Sequence, residues 1–160
     1  MKLGFITSIC EGMTFEEVVD FAAENGLECL EVACWPNFGA KRRYAGVSHI
    51  DVATLTPEKA EEIKALCASK SVEISSLCYY PNTMDPDLEK RQSYIDHIYK
   101  LIDASAMLDV NMITTFVGRV PDKTFAENLE IFKEVWPPIV KYAEEKGVKI
   151  AIETVRCFHR

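Results

Sequence analysis

What most limits how this chain can fold is a strand-then-helix alternation that recurs along nearly its whole length. KLGFITS (Lys2 to Ser8) reads as a short apolar strand. A helix follows from Thr14, where Thr14-Phe15-Glu16-Glu17 has capping-box spacing. Phe15, Val18, Val19 and Ala22 share one face of that helix, and Asn25-Gly26 stops it. LECLEVACW (Leu27 to Trp35) is apolar at both parities, as a strand buried on both faces should be. After a loop with Pro36, Gly39 and Gly46, Thr56-Pro57-Glu58 opens a second helix, with proline in the first turn where its missing N–H is harmless. VEISSLCYY (Val72 to Tyr80) predicts strand three, and Leu88 to Leu108 predicts helix three, with Ile95, Ile98, Ile102 and Met107 at helical spacing. VNMITTFVG (Val110 to Gly118) predicts strand four. Thr124 to Lys146 predicts helix four, kinked or broken at Pro137-Pro138. VKIAIE supplies strand five.

The order βαβαβαβαβ implies parallel strands joined by right-handed helical crossovers. Two α/β architectures satisfy it: an open five-stranded sheet, complete at 160 residues, or a (β/α)₈ barrel cut a little past its middle. Periodicity does not choose between them. No GxGxxG or Walker A sequence follows the first strand, which counts against nucleotide-binding versions of the fold.

Charge and cysteine usage narrow the function classes. A net charge of −7 and a pI near 5.0 leave no surplus to neutralise phosphates, so a general nucleic-acid binder is not expected. Lys41-Arg42-Arg43 is too short a basic run to change that and reads as a solvated loop or a local anion contact. Six cysteines without a CxxC pair predict free thiols in a reduced, cytoplasmic protein. A mean hydropathy of −0.03, and the lack of any window approaching a membrane span, predict no membrane partner.

In either architecture, function gathers at the carboxyl ends of the strands. Those positions hold Ser8 and Glu11, then Glu31 and Trp35, then Tyr79, Tyr80 and Asn82, then Thr114, Thr115 and Arg119, and finally Glu153. This polar and aromatic set suits a small polyhydroxylated ligand, and Glu31, Trp35, Tyr80, Asn82 and Thr115 are the expected substrate contacts. Each also has a structural reading: Glu31 as half of a buried ion pair, Trp35 as core filler, Asn82 as turn chemistry. Tyr79 and Tyr80 point to opposite faces, so at most one lines a site. His49 reads as a surface or capping histidine, His97 as helix surface, and His159 carries no weight. Glu153, a carboxylate directly after IAI at a strand mouth, is poorly explained by packing and is read as a metal ligand or general base.

Several stretches carry a family resemblance: LEVACWP (Leu30 to Pro36), RYAGVSHIDV (Arg43 to Val52), ISSLCYYPNTMDPD (Ile74 to Asp87), TTFVGR (Thr114 to Arg119) and FAENLEIFKEVWPPIVKYAEEKGVKIAIE (Phe125 to Glu153). In these the chain resembles the sugar phosphate isomerase/epimerase group of the xylose isomerase-like TIM barrels, over residues 1–153. The resemblance implies a divalent-metal barrel enzyme, using Mg²⁺, Mn²⁺, Co²⁺ or Zn²⁺, that moves a proton beside the carbonyl of a sugar or sugar phosphate. Its metal is held by Glu, Asp, His and Glu at the ends of strands five to eight, and Glu153 matches the first. The chain as given then corresponds to about five strands and four helices. It is expected to be inactive alone, or to act as a half-barrel binding module, a homodimer, or a fragment completed by a partner chain. Endonuclease IV-type members carry histidines near strands three and four, where this chain has Leu77-Cys78 and Thr114-Thr115.

Family members continue as IAIENCPM where this chain reads IAIETVRC. Deleting one A from AAC TGT CCG ATG leaves ACT GTC CGA TG, which encodes Thr-Val-Arg-Cys when the following base is C or T. Residues 154–160 are therefore expected to be a frameshifted tail, and a gene that reads intact into TVRCFHR would contradict this.

Overall fold

The computed structural model describes residues 1–36 and 46–153. Lys41-Arg42-Arg43, and the tail with Cys157 and His159, lie outside the described residues. The strands are β1 (Gly4–Ile6), β2 (Cys29–Ala33), β3 (Glu73–Cys78), β4 (Met112–Thr115) and β5 (Lys149–Ile152). The helices between them are α1 (Phe15–Glu24), α2 (Pro57–Ser69), α3 (Leu88–Met107) and α4 (Phe125–Glu145).

Local chemistry sets the helix starts. Thr14 accepts from Glu17 N at 3.3 Å, while the Glu17 carboxylate accepts from Thr14 N at 2.7 Å. Thr124 and Glu127 repeat this reciprocal cap at 3.3 and 2.8 Å. Thr56 caps α2 ahead of Pro57, and Asp87 caps α3 through Glu89 N and Lys90 N. Each such cap contributes about 0.5–2 kcal/mol.

α4 runs unbroken through Pro137 and Pro138, so of the expected kink or break the break does not occur. The prolines remove the hydrogen bonds to the carbonyls four residues earlier, on Lys133 and Glu134. Both of those residues are exposed, so water can satisfy the freed oxygens. Trp136, Ile139 and Ala143 meanwhile hold the opposite face in the core.

The five strands form one sheet in the order β1-β2-β3-β4-β5, every neighbouring pair parallel. An order that never doubles back places successive right-handed crossovers on the same side. A doubly wound sheet would reverse its order and carry helices on both faces. The core accordingly lies on one face, where Leu30, Val32, Leu77 and Ile113 meet Val18, Val19, Ile98, Leu101, Trp136 and Ile139. Each fully buried aliphatic chain contributes about 1.5–3 kcal/mol. This settles the choice between architectures in favour of the barrel type.

His97 is a correction to the sequence reading. It is buried rather than on the helix surface, because it shares the inner face of α3 with Leu101 and Ala104. Its Nε2 lies 2.8 Å from the Cys34 carbonyl, and its ring meets Tyr79 edge-on at 4.6 Å. Burial holds the His97 imidazole below its ordinary pKa, and half-buried His49 is lowered for the same first cause.

The folded state therefore favours neutral imidazole. That stability is complete above the unfolded pKa of about 6.5 and is lost as pH falls from there toward the folded pKa. Thermal melts should show a lower Tm at pH 5.5 than at pH 7.5, with a slope of at most about 1.4 kcal/mol per pH unit for each histidine. His97→Gln should flatten the slope. An unchanged slope in that variant would refute the assignment.

Candidate functional site

Side chains alternate along each strand, and in this sheet one parity faces the helices while the other is left free of them. On β2 the free face carries Cys29, Glu31 and Ala33. The register then brings Ser76 beside Glu31, Thr114 beside Cys78, and Ala151 beside Thr114. A register shift between Leu30 and Glu31 accompanies this alignment. Tyr80, Phe116 and Glu153 continue the same parity past the ends of β3, β4 and β5. Glu153 N donates to Thr115 O at 3.0 Å, so the ladder runs one residue beyond β5 before the exposed carboxylate.

A hydrogen-bonded group forms at the centre of this face. Tyr80 Oη donates to Glu31 Oε1 at 2.5 Å, and Ser76 Oγ lies 3.4 Å from Glu31 Oε2. Thr114 Oγ1 lies 3.4 Å from Ser76 Oγ, and the Phe116 ring covers Tyr80 with centroids 4.5 Å apart. Burial first, and then the hydrogen bond to Glu31, push the Tyr80 phenol above its usual range, so it stays a neutral donor. Cys78, buried beneath, is raised by burial and further by the charges of Glu31 and Glu153. The arrangement can accept hydroxyl donors and hold a carboxylate in a partly dry setting.

The expected contacts divide in space. Glu31 and Tyr80 meet directly. Trp35 packs edge-on against Tyr79 at 4.9 Å, beside the core and on the helix side. The alternation thus separates the two tyrosines, as their spacing predicted. Thr115 is fully buried with the parity of Ile113, and its neighbour Thr114 is the threonine on the Glu31 face.

Asn82 sits between loops. Its Nδ2 donates to Arg119 O at 2.9 Å, and its Oδ1 accepts from Arg119 N at 2.8 Å and Met84 N at 3.3 Å. Ser8 is buried and Glu11 exposed. Ser76 and Cys78 were not singled out from sequence, although counting back by twos from Tyr80 reaches both.

Among the described residues no three His, Cys, Asp or Glu side chains converge as a metal site. Cys10, Cys29, Cys34, Cys67 and Cys78 are free thiols, and burial pushes Cys67 up to about 11. No described helix is long and apolar enough to cross a membrane. A separate groove of about 620 Å³ lies beside the start of α4, walled by Met84, Val117, Phe125, Leu129 and Phe132.

Parallel strands in unbroken sequential order, with polar residues at their carboxyl ends and helices on one side, define the β/α-barrel class. Residues 19–159 match the xylose isomerase-like TIM barrel family model, and the chain belongs to that family. It is 24% identical over 146 residues to the uncharacterised protein YfiH of Bacillus subtilis (strain 168), covering 88% of this chain and 44% of that one. Among solved structures it is similar to a D-psicose 3-epimerase from Clostridium cellulolyticum H10, determined with D-tagatose. There the TM-score is 0.71 at 19% identity, over 100% of this chain and 54% of that one. A xylose isomerase domain protein from Planctomyces limnophilus gives a TM-score of 0.68 at 17% identity, over 96% and 54%. The chain thus spans about half the length of the relatives it matches.

Proposed function

We propose that this chain is part of a sugar or sugar phosphate isomerase/epimerase and that the Glu31 face lines its substrate chamber. The observation carrying this reading is the Glu31–Tyr80–Ser76–Thr114 group, on the helix-free face of a barrel-type sheet, with Glu153 opening on the same side. Glu31 and Tyr80 would hold sugar hydroxyls. Asn82 would act by fixing the loops, and Trp35 and Thr115 by supporting the wall from behind.

Glu153 would take a proton from the carbon beside the substrate carbonyl. Return of a proton to the opposite face of that carbon gives an epimer, and return to the neighbouring carbon gives an isomer. Its carboxylate is also the oxygen donor in this chain suited to Mg²⁺, Mn²⁺, Co²⁺ or Zn²⁺. Such an ion polarises a carbonyl oxygen when bound. The described residues bring Glu153 no second and third ligand, so those would come from three further strands.

The test is deuterium uptake from D₂O into ketoses and ketose phosphates, with a divalent metal added. The chain alone should not exchange, and the chain paired with a second chain carrying the three further strands should label the carbon beside the carbonyl. Exchange by the chain alone without metal would overturn the assignment. So would a completed barrel that never exchanges.

A further inference from the structure

We propose that β5 is a self-association edge: a second copy of this chain adds its own β5 antiparallel to it, with Lys149 of each copy opposite Glu153 of the other. The proposal uses only β5 and one flank of α4, and it is independent of the sugar reading.

The backbone sets the register. β5 ends the strand order, so among the described residues one of its edges carries no strand. Such an edge is a template for another chain. Lys149 N donates to Asn111 O at 2.8 Å and Glu153 N to Thr115 O at 3.0 Å, both toward β4. Successive residues of a strand aim their N–H and C=O groups to opposite sides, so Ile150 and Ile152 offer theirs to the open edge. In an antiparallel pair, hydrogen-bonded and non-hydrogen-bonded positions alternate. Setting Ile150 opposite the partner's Ile152 places both in hydrogen-bonded positions. Ala151 then lies on the two-fold axis, and Lys149 stands opposite the partner's Glu153.

Charge selects the same register. Lys-Ile-Ala-Ile-Glu, residues 149–153, is its own complement when reversed. Within one chain Lys149 and Glu153 lie roughly 13 Å apart at about 3.3 Å per residue, too far to pair. Across the axis they are direct neighbours on the helix-free face, in the positions where opposite side chains come closest. The two-fold axis makes the pair twice.

The helix side of the same edge is apolar. Ile152 is 45% exposed, and Leu129 and Val140 are exposed as well. At 3.6 residues per turn, Leu129 and Val140 fall on one line of α4. That line is on the flank away from Tyr142, whose ring meets Tyr99 of α3 at 5.0 Å. It therefore borders the open edge of β5. The two-fold axis keeps both helix layers on one side of the joined sheet and turns Leu129 toward the partner's Val140. Lys133, between them, is held by Glu130 at 2.8 Å. The further strands of a completed barrel would need this edge too, so self-pairing and completion exclude each other.

Sedimentation velocity of the full chain over a concentration series tests this. The wild type should pass from monomer to dimer as concentration rises. Lys149→Glu and Glu153→Lys each set like charges opposite one another twice, and each variant alone should associate about tenfold more weakly. Mixed in equal amounts, the two variants should form a heterodimer as tightly as the wild type, because every lysine again faces a glutamate. Hydrogen exchange of the wild type needs no variant: the Ile150 and Ile152 amides should exchange more slowly at high protein concentration than at low. A wild type that stays monomeric, variants that each dimerise as the wild type does, or exchange at Ile150 and Ile152 that ignores concentration would overturn the proposal. None of these outcomes bears on the sugar reading.

Discussion

Trp136→Ala should remove about 3–5 kcal/mol of folding stability, the cost of deleting a large buried aromatic side chain. Trp136 is 1% exposed on the inner face of α4, and the Phe132 ring stacks beside it with centroids 6.0 Å apart. A domain of this size holds only about 5–15 kcal/mol in total, so the loss would be a large share. Trp136→Phe should behave differently. The indole Nε1–H is buried without an acceptor among the described residues, and an unsatisfied buried donor costs about 1–3 kcal/mol. Removing it offsets much of the smaller cavity, leaving a net loss of no more than about 2 kcal/mol. Urea unfolding of both variants measures the difference. Equal losses for Ala and Phe would show that ring packing does not anchor α4.

Gly118→Ala should cost about 2–4 kcal/mol through two separable effects. Gly118 has φ +78°, a left-handed conformation that costs an L-residue about 1–2 kcal/mol. An added Cβ would also collide with Asn82 Oδ1. That oxygen receives Arg119 N and Met84 N, and the same amide donates to Arg119 O. Displacing Asn82 would therefore release the clamp between the loops after β3 and β4, each lost bond costing about 0.5–1.5 kcal/mol. Asn82→Ala alone should lose only the bonds. The double variant should be less damaging than the sum of the two, because the collision needs both groups. Strict additivity in urea melts would mean that the two residues do not interact.

Much of the architecture could be read from the chain because its signals are local. Thr14 with Glu17, and Thr56 before Pro57, mark helix starts through bonds made within one turn. The alternation of strand and helix fixes parallel pairing, but not whether the sheet closes. That depends on strand order, and therefore on which face the crossovers cover.

The site was harder to read, for the same physical reason. Thr114 and Thr115 are chemically alike, and only register places Thr114 with Ser76 and Thr115 with the core. His97 looks polar in sequence, yet its burial depends on a contact with the Cys34 carbonyl 63 residues away. Asn82 carries turn chemistry in sequence, and its partners on Arg119 appear only when two loops meet. Glu31 and Tyr80 were legible as polar residues in apolar strands. Their pairing across β2 and β3 was not, because it requires the register between those strands.

The central claim is that the helix-free face of the sheet, and not the apolar groove beside α4, receives the ligand. It is tested most directly by mapping chemical-shift changes on the isotopically labelled chain as D-fructose is added. Saturable shifts centred on Glu31, Ser76, Tyr80 and Thr114, abolished together in Glu31→Gln, are the predicted result. Shifts centred on Phe125, Leu129 and Phe132, with the Glu31 neighbourhood unmoved, would contradict it.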